Sequence, residues 1–359
     1  MHETAVISTE APSRNTLLHR EGKEEWIEGP QKTQFYTRTY YDTLRPKVII
    51  VFVHGFLEHI ARKRYEELFA SMCTRGIAVF AYDQRGFGRT ALGGPESQDR
   101  AGGGKDTRVN TYGRSSWDQH IDDIAWAVGC ARRVIAYPED ETDNDIPVVL
   151  YGHSMGGGLV LAFATQPASS PHRHIISSLA GIISSSPLIV QAEPFPVLMR
   201  WIVRKLATLA PDFTIPLKVE SQNLSHNPAA NKEFMMDPPI KKIGSLRGLS
   251  TMLDGAEQLV EDGYKHWPSD LPVTDVHEPS IKVLLAHGTA DKVTSFHATK
   301  AFYEKIEAKD KTFSSYDAGF HDLHNEPNGV KETIFEEFVK WMETRAGTSL
   351  SPSNMGSST

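Results

Sequence analysis

The amino-acid sequence predicts an α/β fold in which a mostly parallel central sheet is flanked by helices. Short β-branched runs alternate with segments of helical periodicity, and this alternation is typical of a parallel sheet that is covered on both faces. Most of these runs are apolar throughout, as expected of strands that are buried on both faces. The predicted strands of this kind cover 47–55, 76–83, 146–152, 179–186, 281–288 and 311–319.

The remaining elements complete this α/β pattern. Two earlier segments, 24–29 and 33–41, are predicted to enter the sheet as antiparallel strands. Helical periodicity predicts helices over 64–76, 115–137, 156–166 and 330–346. The longest of these helices carries one apolar stripe, formed by Trp117, Ile121, Ile124 and Val128.

One interval interrupts the alternation of strands and helices. More than ninety residues separate the sixth predicted strand from the seventh, which is too long for a connection inside a compact domain. We therefore expect a mainly helical cap over 187–279, inserted into a core formed by 16–186 and 280–346. The polar ends, 1–15 and 347–359, are expected to be disordered. The glycine-rich loop 90–113 is interpreted as a flexible rim or a surface insertion.

The composition narrows the class of protein. A chain of 359 residues with 40% hydrophobic content can bury a sizeable core, and its net charge of -7 argues against a nucleic-acid partner. The two cysteines, Cys73 and Cys130, cannot form a disulfide framework, which suits a reducing compartment. The first residues lack the apolar region of a secretory signal, and no run of apolar residues predicts a membrane span. A cytoplasmic location is therefore expected.

The surroundings of Ser154 predict a nucleophile. This serine lies in the pattern G-x-S-x-G, between a predicted buried strand and a predicted helix, so it is expected at a sharp strand-to-helix turn. Gly152 and Gly156 flank it because a Cβ at either position would collide with neighbouring elements. The Met155 amide, at the start of the helix, is placed to stabilise an oxyanion. A second oxyanion donor, the Phe56 amide, is expected from the loop after an early strand.

A serine hydroxyl needs a base, and the base needs an orienting carboxylate. Asp291 follows one predicted strand and His321 follows the next, so the chain order Ser, Asp, His matches the α/β-hydrolase arrangement. We therefore predict that Ser154, Asp291 and His321 form a catalytic triad. Asp275 and His324 are the nearest alternatives for the acid and the base.

Other chemistry is disfavoured by the sequence. Gly86, Gly88 and Ala91 imitate the G-x-G-x-x-A signature of dinucleotide binding, but the segment around Ala91 is predicted as a loop instead of the helix that this signature requires. No metal-ligand pattern such as H-E-x-x-H occurs. Neither a metal nor a cofactor is therefore expected.

The predicted cap contains an apolar helical segment, 195–210. Its apolar surface is broken by Arg200, Arg204 and Thr208 at a spacing of four, and by Lys205. Such a helix can lie in a membrane or droplet surface, with its cations meeting anionic head groups. The alternative is a cap helix that packs across the cleft and lines it, and the two roles are compatible. Either role favours a lipid-like substrate.

The chain resembles the α/β-hydrolase superfamily and, within it, the monoacylglycerol lipase family, particularly its fungal members. The motifs that carry this resemblance are HGFLEH (54–59), YDQRGFGRT (82–90), GHSMGGG (152–158), HGTADKV (287–293) and AGFHDLH (318–324). The resemblance implies the α/β-hydrolase fold, with the cap inserted between the sixth and seventh strands. The chain departs from the family pattern at two places: Phe56 follows the first HG pair, and two extra residues precede RYEEL.

The resemblance also implies a function. It implies that a monoacylglycerol is hydrolysed to a free fatty acid and glycerol through an acyl-enzyme, with Glu58, Arg64 and His324 near the glycerol group. A lysophospholipase, a thioesterase and a broad carboxylesterase remain alternatives because they use the same triad, and an inactive lipid-binding module is the non-enzymatic alternative. A cytoplasmic protein in peripheral contact with lipid droplets or the endoplasmic reticulum membrane is expected.

Overall fold

An eight-stranded, mostly parallel sheet forms the centre of the protein. The structure, a computed structural model, describes residues 19–43, 45–93, 111–135, 146–268 and 281–345. The strands in this part of the chain are β1 (His19–Glu28), β2 (Gln34–Tyr41), β3 (Val48–Val53), β4 (Ile77–Tyr82), β5 (Val148–His153), β6 (Leu179–Ser185), β7 (Thr214–Pro216), β8 (Ile243–Ser245), β9 (Lys282–Gly288) and β10 (Lys311–Tyr316).

The strand order of the large sheet is β1-β2-β4-β3-β5-β6-β9-β10. Neighbouring strands from β4 to β10 pair in parallel, whereas β2 pairs antiparallel with both β1 and β4. The predicted mostly parallel sheet with an antiparallel entry is therefore confirmed. Because β3, β5, β9 and β10 run in the same direction, the loops that follow them meet at one edge of the sheet.

Helices cover both faces of this sheet. The helices of the described residues are α1 (Lys63–Cys73), α2 (Gly88–Leu92), α3 (Trp117–Ile135), α4 (Met155–Ala164), α5 (Arg173–Ser177), α6 (Val197–Leu209), α7 (Pro228–Met236), α8 (Leu246–Glu261), α9 (Phe296–Lys305) and α10 (Val330–Arg345). The predicted helices of the core therefore occur where expected, within a few residues at their ends.

Alternate side chains of β3 belong to different halves of the core. Ile49 and Val51 pack in the cluster that includes α3, α4, α8 and α9, whereas Ile50 and Phe52 pack in the cluster that includes α1 and α10. All of these side chains are fully buried, which explains why this strand is a continuous apolar run instead of an alternating one. The sheet is therefore a rigid platform for the loops at its edges.

The segment between β6 and β9 is described as far as residue 268, and we call 187–268 the cap segment. It holds α6, α7 and α8, so it is mainly helical, together with the short antiparallel pair β7 and β8. The sequence did not predict β7 and β8, because three-residue strands leave no periodicity to detect. The domain boundaries remain a prediction, and the ends 1–15 and 347–359 lie outside the described residues, as does most of the loop 90–113.

Two basic residues of α6 bind carboxylates within the cap segment. Arg200 binds Glu257 and Asp254 of α8, and Arg204 binds Asp254 at 2.6 Å. These two cations therefore hold α6 against α8, while the Arg204 side chain stays 58% exposed, so their contact with head groups stays a prediction. Apolar side chains of α6 also face outward, since Val197, Leu198 and Leu209 are 84%, 68% and 82% exposed.

A short helix occurs where the sequence predicted a loop. Helix α2 begins at Gly88, immediately after the segment that imitates a dinucleotide signature. Its first turn is occupied by Asp83, whose Oδ2 accepts a hydrogen bond from the Arg89 amide at 2.6 Å. A Cβ on Gly88 would lie 2.2 Å from the same oxygen. The carboxylate of Asp83 therefore takes the position that a phosphate would need.

Among the described residues, no helix has both the length and the apolar character that crossing a bilayer requires.

Candidate active site

Ser154 occupies the turn between β5 and α4, in a strained backbone conformation. Its φ of 58° and ψ of -119° lie outside the usual regions for an L-residue. Its amide donates to the Ser185 carbonyl at 3.0 Å, which fixes the turn against β6. A Cβ on Gly152 would lie 2.2 Å from the Gly156 oxygen. The predicted crowding at this glycine is therefore confirmed.

His321 lies beside the hydroxyl of Ser154. Its Nε2 is 2.9 Å from Ser154 Oγ, and its Nδ1 is 2.8 Å from Oδ2 of Asp291. The three side chains come from the ends of β5, β9 and β10, and the parallel order of these strands brings their loops together. The structure thus unites the three residues that the sequence predicts as a triad, while their catalytic roles remain a prediction.

The carboxylate of Asp291 accepts five hydrogen bonds. Oδ1 accepts from the amides of Val293 at 2.7 Å and Thr294 at 3.0 Å. Oδ2 accepts from the Thr294 hydroxyl at 2.9 Å, and both His321 and His287 lie within 3.0 Å of it. Burial alone would raise the pKa of Asp291, but the charges and hydrogen bonds of His321 and His287 outweigh it and lower this pKa. Asp291 is therefore ionised at neutral pH.

The two amides that the sequence predicts as oxyanion donors both lie next to Ser154, one at the start of α4 and one in the loop after β3. Met155 is the first residue of α4, and no described residue accepts a hydrogen bond from its amide or from that of Phe56. A Cβ on Gly55, next to Phe56, would lie 3.1 Å from the Cβ of Ser154. This loop is therefore in contact with the turn of Ser154, and the role of its amides stays a prediction.

A cavity of about 750 Å³ opens at Ser154, between the sheet and the cap segment. The polar residues that the core contributes to its lining include Glu58, His153, Ser154, His321 and Asp322. The cap segment contributes apolar side chains, among them Phe195, Met199, Val203, Leu217, Phe234 and Leu253. Both interpretations of the helix over 195–210 are therefore compatible with the structure, since α6 lines the cavity and also presents an apolar surface outward. The cavity suits a ligand that has a polar head and an apolar chain.

The fold, this cavity and the Ser–His–Asp geometry can be compared with known proteins. A model of a hydrolase family described as "Serine aminopeptidase, S33" matches residues 45–328. The chain belongs to this S33 family. It is similar to the putative monoglyceride lipase of Schizosaccharomyces pombe, with 31% identity covering 86% of this chain and 70% of that protein. It is also similar to human monoglyceride lipase, with 26% identity covering 87% of this chain and 88% of that protein.

Solved structures share the fold of this S33-family chain. A soluble variant of monoglyceride lipase from Saccharomyces cerevisiae, in complex with a substrate analog, matches it with a TM-score of 0.71 at 20% identity. That match covers 90% of this chain and 94% of the yeast chain. The monoacylglycerol lipase of Paleococcus ferrophilus matches with a TM-score of 0.65 at 22% identity, covering 87% and 99% of the two chains. The predicted α/β-hydrolase fold and the resemblance to monoacylglycerol lipases are confirmed.

Of the three predicted glycerol contacts, Glu58 alone is among the residues that line the cavity at Ser154. Its Oε2 accepts from the Gly55 amide at 3.0 Å and from the Tyr65 hydroxyl at 2.6 Å, and its Oε1 binds Arg62 and Arg64. Burial would raise the pKa of Glu58, but Arg64 and Arg62 outweigh it and hold this pKa well below its usual range. Glu58 is therefore an ionised carboxylate.

The expected glycerol contacts of Arg64 and His324 stay a prediction, and the structure places both side chains beside the cavity at Ser154, outside its lining. Neither side chain is among the residues that line the cavity at Ser154, and both line a separate cavity of about 400 Å³ beside α1 and α10. Arg64 binds Glu58 and Asp322, while His324 is buried against Tyr151 with its ring nitrogen at the phenol oxygen. Arg64 therefore touches two cavity-lining carboxylates without lining the cavity itself.

His324 is also excluded as the base by this geometry. Its Nε2 contacts the Tyr151 hydroxyl instead of Ser154 Oγ, and burial lowers its pKa to about 3. The other alternative, Asp275, lies outside the described residues. Asp291 and His321 are the residues that the structure joins to Ser154.

Several residues of the site were missed by the sequence reasoning. Thr294 and His287 bind Asp291, and the signal for them was the motif HGTADKVT, which places both within four residues of the acid. Next to the triad, the ring of His153 lies 5.0 Å from that of His321. Arg62 shares Glu58 with Arg64, as the two extra residues before RYEEL could have indicated. These residues form the polar surroundings of Ser154, Asp291 and His321.

Proposed function

We propose that the chain is a serine hydrolase that cleaves monoacylglycerols to free fatty acid and glycerol. The observation that carries the chemistry is the line of contacts from Ser154 Oγ through His321 to Asp291, at 2.9 Å and 2.8 Å. The similarity to proteins named as monoglyceride lipases in fungi and animals supports the substrate. The cavity at Ser154, with a polar part and an apolar lining, supports it independently.

The first half of the reaction forms an acyl-enzyme. As Ser154 Oγ attacks the ester carbonyl, Nε2 of His321 takes the hydroxyl proton and Asp291 offsets the charge on the imidazolium. We assign the Phe56 and Met155 amides to the oxyanion of the tetrahedral intermediate, where loss of one donor costs about 3 kcal/mol at the barrier. Collapse of this intermediate breaks the ester bond, and His321 returns the proton to the glycerol oxygen.

The second half of the reaction releases the acid. A water molecule attacks the acyl carbonyl while His321 takes one of its protons. The second tetrahedral intermediate collapses by the same route, and the proton on His321 goes back to Ser154 Oγ. We place the acyl chain against the apolar side chains of the cap segment and the glycerol group near Glu58, because Glu58 is an ionised acceptor in the polar part of the cavity.

A panel of substrates tests this proposal. Wild type and Ser154→Ala protein are compared on 1-monooleoylglycerol, oleoyl lysophosphatidylcholine, oleoyl-coenzyme A and p-nitrophenyl butyrate, with fluorophosphonate labelling as a measure of the nucleophile. We expect the highest kcat/KM on the monoacylglycerol, and loss of both turnover and labelling in the alanine variant. A higher kcat/KM on the lysophospholipid or the thioester would contradict the proposal and identify that class of compound as the substrate. Absence of labelling in wild type would favour a lipid-binding module without activity.

We extend the proposal to a surface where such a substrate resides. The apolar side of α6 faces away from the protein next to the cavity, and a surface helix of this kind binds lipid interfaces by burying its apolar residues. We therefore propose peripheral contact, through the cap segment, with lipid droplets or the cytoplasmic side of the endoplasmic reticulum membrane. The free thiols of Cys73 and Cys130 suit a reducing compartment.

A further inference from the structure

A second histidine binds the acid of the triad. His287 lies near the end of β9 and is 0% exposed, so it touches neither the cavity nor solvent. Its Nε2 is 3.0 Å from Oδ2 of Asp291, the oxygen that also accepts from Nδ1 of His321 at 2.8 Å. One carboxylate oxygen therefore holds two imidazole rings, only one of which reaches Ser154.

The surroundings of His287 define which nitrogen carries its proton. An ionised carboxylate only accepts hydrogen bonds, so the Nε2 that faces Asp291 must be the donor. Nδ1 lies 2.9 Å from the Thr299 hydroxyl, which donates to it in the neutral ring, while the other acceptor of that hydroxyl, the Ser295 carbonyl, is farther away at 3.3 Å. The ring of Phe296 packs edge-on against the imidazole at 5.9 Å. The ring is therefore fixed in one orientation and one tautomer.

We propose that His287 is a positioning residue: by donating to the oxygen of Asp291 that binds His321, it fixes the carboxylate and limits how strongly that carboxylate stabilises the protonated His321. A carboxylate whose negative charge is shared among several donors attracts a neighbouring imidazolium less strongly. The protonated form of His321 is then stabilised less by Asp291 than it would be with His287 absent. This inference rests on the proposed hydrolysis at Ser154 and not on the identity of the substrate.

The groups that face His321 make the effect of His287 measurable. From β9 and its loop, Asp291 is the charged group in contact with the ring, and from β5 the neighbours are Ser154 and His153. Burial lowers the pKa of His153 well below its usual range, so its ring is neutral beside His321. Changes in the charge distribution on Asp291 therefore act on His321 directly.

The test is the pH dependence of hydrolysis. His287→Leu removes the donor at similar volume, and His287→Gln replaces the imidazole by an amide that can still donate. With p-nitrophenyl butyrate as substrate, we expect the acidic limb of kcat/KM to move upward by about half a unit to one unit in the leucine variant. The glutamine variant should return toward the wild-type profile. In the resting enzyme, the far-downfield proton signal of His321 Nδ1–H should move further downfield in the leucine variant, because its bond to Asp291 strengthens.

Phe296→Leu is the matched control, because it changes the packing on the His287 ring and keeps the hydrogen bond. It should lower the melting temperature without moving the acidic limb. A folded His287→Leu protein with the wild-type acidic limb and an unmoved proton signal would overturn the proposal. If the leucine variant does not fold, His287→Asn, whose shorter amide does not reach Asp291, tests the same bond. If the proposed substrate is wrong, the protein will hydrolyse the p-nitrophenyl ester but not monoacylglycerol, and this result is independent of the test of His287.

Discussion

Gly156 of α4 lies against Val53 of β3 so closely that a Cβ on the glycine would be 2.0 Å from the Val53 carbonyl oxygen. A Cβ cannot come this close to a non-bonded oxygen, so Gly156→Ala must displace either the helix or the strand. Because Ser154 lies between β5 and α4, we expect the variant to lose fluorophosphonate labelling. We also expect it to lose more than about 3 kcal/mol of unfolding free energy, measured by urea denaturation.

Gly129→Ala is the control for this variant. Gly129 lies inside α3, and a Cβ there would meet only the flexible end of Arg133, at 3.3 Å. Replacing a glycine inside a helix by alanine is expected to stabilise the protein by up to about 1 kcal/mol. Equal losses in the two variants would show that the effect at Gly156 comes from general sensitivity to alanine and not from the contact with Val53.

Asp291→Asn is expected to lower kcat by about 10³-fold to 10⁴-fold with little change in KM. The amide has the shape of the carboxylate, but it cannot offset the charge of the His321 imidazolium, and its NH₂ group cannot accept hydrogen bonds as the carboxylate oxygen does. The kinetics are measured on p-nitrophenyl butyrate at the pH of maximal activity. Asp317→Asn, which changes an exposed carboxylate in the loop of His321, is the control and should keep wild-type turnover.

The sheet and the convergence of Ser154, Asp291 and His321 could be predicted from the sequence. Apolar runs such as 47–55 are long enough to mark buried strands, and parallel strands bring the loops at their carboxyl ends together. The order of the three loops along the chain was therefore sufficient to predict that these residues meet.

Partners from distant parts of the chain could not be predicted. Arg200 and Asp254 are more than fifty residues apart, so no local pattern indicates that the basic residues of α6 face α8. The same limit applies to Arg64 and His324, since their motifs place them near the site without fixing which cavity their side chains line. Side-chain direction depends on packing that the spacing of a motif does not contain.

The buried His120 is expected to make the protein sensitive to acid. Burial lowers its pKa to about 3, whereas the unfolded chain binds this proton near pH 6.5. As the pH falls from about 6.5 to 3, the unfolded state therefore gains a proton that the folded state does not, and stability decreases by about 1.4 kcal/mol for each pH unit. His120→Gln removes this contribution, so its unfolding free energy should fall less steeply with acidification.

The measurement for His120 is urea denaturation at several pH values between 7.5 and 4.5. The exposed His174 supplies the control, and His174→Gln should keep the slope of the wild type. If the slopes of the His120→Gln and wild-type proteins coincide over this range, the proposed origin of the acid sensitivity is wrong.

The outward surface of α6 predicts how binding to lipid interfaces can be weakened without touching the catalytic groups. Leu198 and Leu209 are exposed and do not line the cavity at Ser154. Their replacement by glutamine removes apolar area that would be buried in the interface, so we expect vesicle binding and turnover of emulsified monoacylglycerol to fall by about ten-fold or more. Leu92→Gln, at an exposed leucine of α2, is the control. Since p-nitrophenyl butyrate is soluble, its hydrolysis should be unchanged in all variants, and unchanged vesicle binding in the double variant would rule out α6 as the contact surface.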